Sequence, residues 1–144
     1  MGTLLAAVRG ERENSRDPQP TLADLEGLLE TSRAVGLPVE LEVRGRRGEL
    51  PAPIEVSAVR IVQEGLTNVR KHAGEARARV RLDYRDDTLE VEVEDDGAGT
   101  ANGQGSRRGL IGVRERVAVF GGGYEAGPQP EGGWRLKATL PLPR

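Results

Sequence analysis

Cysteine is absent from this chain. A disulfide framework, thiolate metal ligation and a cysteine nucleophile are therefore excluded, which fits a reducing compartment such as the cytoplasm. No apolar run approaches the roughly 18 residues that a membrane span needs, so no membrane contact by this segment is expected. The start, Met-Gly-Thr-Leu-Leu-Ala-Ala-Val-Arg, lacks the charged-then-apolar order of a signal peptide. An excess of either charge is missing too: 21 basic and 23 acidic residues leave a formal charge of -2. That balance gives no generic attraction to DNA, RNA or anionic membrane, so any nucleotide must be recognised by a local site. Histidine occurs once, at His72, and no internal repeat is visible.

What is present suffices for one folded domain. The chain has 144 residues, 36% of them hydrophobic and 31% charged, and single domains most often run to about 100–150 residues. Residues 1–20 read as a short apolar piece, TLLAAVR, and a charged, proline-punctuated linker. A folded unit over 21–144 follows. Thr21 is placed to cap a helix over Leu22–Val35, and Gly36 ends it. Alternation of Val39, Leu41 and Val43 with Glu40, Glu42 and Arg44 predicts a strand over Pro38–Arg44. Ile54–His72 has helical periodicity and stops at Ala73-Gly74. Arg77–Tyr84 and Thr88–Glu94 alternate around Arg85-Asp86-Asp87, which predicts an antiparallel hairpin. Asp95–Arg108 is too glycine-rich for regular structure. A helix over Leu110–Phe120 and short strands over Tyr124–Ala126 and Trp134–Leu140 complete the order. This mixture implies an α/β two-layer sandwich: a mixed, mostly antiparallel sheet of about five strands covered on one face by about three helices.

The central helix has two faces. At 100° per residue, with Glu64 at zero, Val59, Val62, Leu66 and Val69 form an apolar stripe between about 140° and 220°. Arg60, Glu64, Asn68, Lys71 and His72 gather between about -40° and 80°. Taken alone, that second group is also what a solvated face with an i,i+4 Glu-to-Asn pair would look like. Asp95-Asp96-Gly97 likewise reads equally well as the turn that ends a hairpin strand. Arg114, Glu115 and Arg116 are expected on the exposed side of the last helix with no chemical role, and Phe120 and Trp134 are expected in packing.

The order of these motifs is more specific than any one of them: a helix with Glu-x-x-x-Asn, a strand ending in Asp-x-Gly-x-Gly, then a glycine-rich loop entering a helix. IVQEGLTNVRKHAG (Ile61–Gly74), VEDDGAG (Val93–Gly99) and RGLIGVRERVAVFGGG (Arg108–Gly123) resemble the N box, G1 box and G2 region of the GHKL ATPases. Within that superfamily the chain is similar to the ATP-binding catalytic domains of bacterial sensor histidine kinases of the DesK and NarX type. The resemblance implies the Bergerat fold and a site for ATP or ADP with Mg²⁺. It implies that Asp95 accepts from the adenine amino group, since an ionised carboxylate only accepts hydrogen bonds, and that Gly97 and Gly99 let the backbone approach the base. Asn68 corresponds to the metal ligand, a fit for a hard ion that takes few protein groups. Lys71 and His72 are within a turn of it for phosphate contact. Glu64 matches the position that serves as a base in ATP-hydrolysing relatives. Gly109 and Leu110 open a helix whose N–H groups suit phosphate. Where the family has Gly-x-Gly-Leu, this chain has Arg107-Arg108-Gly109-Leu110, so Arg107 replaces a glycine of the family's lid over ATP.

The resemblance further implies transfer of the γ-phosphoryl group to a histidine on a dimerisation domain that these residues do not include, and onward transfer to a response regulator. The intact protein would then be a homodimer, with or without a membrane anchor. TLLAAVR matches the end of a dimerisation helix, and His72, followed by Ala73-Gly74, is not the phosphoacceptor. Two other readings stay open at this stage: an anti-sigma serine kinase or switch protein of the same superfamily, and a degenerate GHKL domain that binds partners without turnover.

Overall fold

The computed structural model describes residues 21–45, 50–73, 75–97 and 110–143, with only the backbone of His72. Among the described residues five strands form one open sheet, in which the first, second, third, fifth and fourth along the chain lie side by side in that order, and three α-helices lie with it. The chain enters through a 3₁₀ turn, Leu22–Asp24, capped by Thr21: its Oγ1 accepts from the Ala23 N–H at 3.2 Å, and its own N–H donates to Asp24 Oδ2 at 2.8 Å. This capping box satisfies donors that a helix start leaves open. It also splits the expected helix, so that α1 runs only over Leu25–Ala34. The chain leaves α1 through Gly36 at φ 97°, a conformation open to a residue without Cβ.

Strand β1 (Val39–Arg44) leads to the long helix α2 (Ala52–His72), which returns the chain to β2 (Ala78–Tyr84) parallel to β1. A crossover of this length is what allows a parallel pair. Helix α2 begins two residues earlier than periodicity suggests, because Pro51 and Pro53 suit the first turn, where no intrahelical N–H is needed. The hairpin of β2 and β3 (Thr88–Asp95) follows in antiparallel register from Tyr84↔Leu89 to Ala78↔Asp95. Helix α3 (Ile111–Val119) and the antiparallel pair β4 (Gly123–Pro128) and β5 (Trp134–Pro141) complete the sheet. Both final strands are longer than the sequence suggests, because pairing continues through Gly127 and Pro128 and through Pro141.

Alternation along the strands decides which face is covered. Val80, Leu82, Leu89, Val91, Val93, Leu136, Ala138 and Leu140 are buried against α2 and its neighbours. All four residues of the α2 stripe, Val59, Val62, Leu66 and Val69, are buried, and so are Ala58 and Ile61 outside it. Helix α2 is wider in its burial than an amphipathic stripe because it packs on α1 and α3 as well as on the sheet.

The opposite face of the sheet is a charge lattice. Register sets Glu40 and Glu42 of β1 beside Arg79 and Arg81 of β2, these beside Glu94 and Glu92 of β3, and these beside Arg135 and Lys137 of β5. Arg81 bridges Glu42 at 3.2 Å and Glu92 at 3.1 Å, and Glu92 also meets Arg135 at 3.5 Å. Cross-strand pairing of opposite charges stabilises the sheet without a second helical layer. It also biases ionisation. Hydrogen bonds from Arg44 and Arg81 hold the Glu42 carboxyl below 4.5 in spite of some desolvation. Desolvation works against the Arg81 charge, but Glu92 and Glu42 outweigh it and raise its pKa.

Candidate nucleotide-binding site

The last residue of β3 and the last turns of α2 meet at one end of the sheet. Asp95 ends β3 between Ala78 of β2 and Trp134 of β5, with only 5% of its surface exposed. Burying a carboxylate is costly without hydrogen bonds, and one is supplied locally: Oδ1 accepts from the Gly97 N–H at 2.8 Å. The neighbouring carboxylate has a different task. Asp96 Oδ1 accepts from the Arg77 N–H at 2.7 Å, while the Asp96 N–H donates to the Arg77 carbonyl at 3.2 Å. Asp96 therefore ties off the hairpin, whereas Asp95 is turned into the buried end of the sheet. Asp95 thus forms a side-chain turn and is buried at the same time.

Gly97 has a steric reason of its own. A Cβ there would lie 2.3 Å from the Ala73 carbonyl oxygen and 2.8 Å from the Ala73 Cβ. The close approach that requires glycine is thus to the C-terminal cap of α2. This contact sets the end of α2 against the end of β3.

On α2, Asn68 is buried, with 7% exposed, although the helical wheel puts it among charged residues. Helix α3 packs against α2. Glu64, one turn earlier on the same face, is covered by the same helix. A Cβ on Gly112 would lie 3.4 Å from each Glu64 carboxylate oxygen, and Arg116 Nη2 stands 3.6 Å from Glu64 Oε1. The expectation that Arg116 is merely solvated is therefore corrected. Arg114 and Glu115 are exposed, but Arg116 points back across α2, with its Nε buried. The sequence carries no local signal for this contact, because Arg116 and Glu64 lie 52 positions apart in the chain. Lys71 is exposed near the end of α2, and Leu110, which opens the turn into α3, is 3% exposed. Gly99, Gly109, Arg107 and the His72 side chain lie outside the described residues. Trp134 and Phe120 pack at the core, as expected.

The arrangement offers a buried acceptor at a strand end, an amide on an adjacent helix and a second carboxylate one turn away. Among the described residues no group of three or more His, Asp or Glu side chains is arranged to hold a metal ion. The described helices include none long and apolar enough to cross a membrane.

Comparison with known proteins bears on the family and the fold. The family model described as histidine kinase-, DNA gyrase B- and HSP90-like ATPase matches residues 54–144. The signal transduction histidine-protein kinase/phosphatase DegS of Brevibacillus brevis is 30% identical over 110 residues, which are 74% of this chain and 28% of that protein. The histidine-protein kinase/phosphatase UhpB of Salmonella typhimurium is 34% identical over 105 residues, 66% of this chain and 21% of that protein. The chain thus spans less than a third of the length of these relatives. Among solved structures, the blue-light activated histidine kinase of Erythrobacter litoralis EL346 shares the fold with a TM-score of 0.69 at 23% identity, over 85% of this chain and 45% of the other. The ATP binding domain of PrrB from Mycobacterium tuberculosis does so with 0.60 at 22% identity, over 87% and 96%.

Proposed function

This chain belongs to the histidine kinase-, DNA gyrase B- and HSP90-like ATPase family, and from that premise we propose that it is the Mg·ATP-binding half of a sensor histidine kinase. It binds ATP and donates the γ-phosphoryl group to a histidine on a dimerisation domain of the intact protein, which passes it to the aspartate of a response regulator. In this reading residues 1–20 end the dimerisation helix and form the linker, and 21–144 are the catalytic domain. The intact protein is a homodimer that works from the cytoplasm, where ATP is available. The names of the relatives, histidine kinases matched over most of this chain, support this reading over a serine kinase of the same superfamily.

The observation that carries the nucleotide assignment is Asp95. An ionised carboxylate at a buried strand end, facing the turn that Gly97 presses onto α2, accepts from an amino group and rejects a carbonyl, which selects adenine over guanine. Asn68 offers an amide oxygen as the protein ligand of Mg²⁺, which neutralises charge on the phosphates when bound. Lys71, at the exposed end of the same helix, and the His72 position are near enough in sequence to reach phosphate oxygens. Leu110 marks where the helix with free N–H groups begins.

Calorimetry with ATP and Mg²⁺ tests the assignment. Asp95→Asn keeps an oxygen that can accept from the Gly97 N–H, so the turn survives, while the charge is lost. A hydrogen bond to a charged group contributes about 1.5–3 kcal/mol, so affinity should fall by roughly tenfold or more. Wild-type protein that releases no heat, or a variant that binds as tightly as wild type, would refute it. Labelled ATP with a separate dimerisation domain tests the transfer step: bound ATP without phosphohistidine would leave a binding module only.

A further inference from the structure

The contact between Glu64 and Arg116 joins the two helices that carry the site. One carboxylate oxygen, Oε1, faces the Arg116 Nη2 at 3.6 Å. The other, Oε2, is buried and accepts no hydrogen bond from the described residues, and the buried Arg116 Nε donates none. A Cβ built on Gly112 would stand in ordinary contact with the carboxylate, 3.4 Å from each oxygen, so α3 passes alongside it. A buried carboxylate oxygen without a donor is unfavourable unless a donor arrives with a ligand. Glu64 stands one helical turn before Asn68 on the same face, and an ion bound through Asn68 and phosphates retains water, each molecule a donor.

We propose that Arg116 is a positioning residue for the metal-nucleotide site. It acts through Glu64, holding Oε1 against α3 so that Oε2 is presented beside Asn68 to a water molecule carried by Mg²⁺. This rests on the nucleotide reading above and adds to it a residue on a different helix with a defined task. Groups that orient a metal's ligands in this indirect way typically alter metal affinity by about 10- to 100-fold when removed.

The test is calorimetric titration of the chain with ATP, once with Mg²⁺ and once with a chelator, alongside thermal melting. For Arg116→Met the gain in affinity that Mg²⁺ confers should shrink by roughly tenfold, with metal-free ATP binding unchanged. Arg116→Lys should restore part of that gain. In the exchanged pair Glu64→Arg with Arg116→Glu, melting should recover because an ion pair joins the helices again. The Mg²⁺-dependent gain should not, because the carboxylate now stands on α3. Equal loss with and without Mg²⁺ in Arg116→Met, or recovery of the gain in the exchanged pair, would overturn the inference and leave a plain tie between helices. Wild-type protein that binds no ATP under either condition would overturn the nucleotide reading and this one with it.

Discussion

Replacing Gly97 by alanine perturbs fold and site at one atom. The added Cβ would stand 2.3 Å from the Ala73 carbonyl oxygen, against a floor near 3.0 Å, so the end of β3 and the cap of α2 must part by about 0.7 Å. The obstacle is backbone and the buried Ala73 methyl, not the tip of a flexible side chain, so the strain cannot be shed by a rotamer change. Overpacking of this kind costs about 1–3 kcal/mol. For a domain of this size that lowers Tm by about 4–12 °C. The displaced Gly97 N–H also serves Asp95 Oδ1, so ATP affinity should fall together with stability. Differential scanning calorimetry with and without Mg·ATP measures both effects. Gly27→Ala is the control: no atom lies within 4 Å of its Cβ position in α1, and alanine there should stabilise by about 0.5–1 kcal/mol. A Gly97→Ala protein that melts within about 1 °C of wild type and binds ATP normally would refute the account of how α2 and β3 are held together.

Other changes separate the core from the charged face. Leu66→Ala, at a position 1% exposed between α2 and the sheet, should cost about 2–5 kcal/mol in urea unfolding, with nucleotide affinity retained whenever the protein is folded. The lowered carboxyl of Glu42 makes a signed pH prediction. Its folded value lies below its unfolded one, so its contribution is present above pH 4.5 and is lost as pH falls through the folded value. Glu42→Gln should therefore lower Tm by more at pH 7 than at acid pH, and melts in low salt from neutral pH to well below 4.5 would show the two curves draw together as pH falls through the lowered value. A gap that stays constant with pH would assign Glu42 a packing role instead.

Element types and their order were legible because each rests on local periodicity. Alternation of Val39, Leu41 and Val43, and of Val80, Leu82 and Tyr84, needs only neighbouring residues to declare a half-buried strand. Ends were less legible. The prolines at 51 and 53 permit α2 to start early, and β4 is prolonged through Gly127 and Pro128 by pairing with β5, a partner that no local pattern reveals.

The site divides along the same line. Sequence alone determined that Glu64 and Asn68 share one helix face, since 3.6 residues per turn places them there in any environment, and that Asp95 follows directly on a strand expected to end at Glu94. It also determined, through composition, that any nucleotide would need a local site. Only the tertiary structure decided that Asn68 is buried and not solvated, that Gly97 is required by Ala73, and that Arg116 reaches Glu64. The last two depend on contacts between separate elements, the end of β3 against the cap of α2 and α3 against α2, across 24 and 52 positions of the chain. Periodicity extends over a few turns and carries no information across that distance; tertiary packing supplies it.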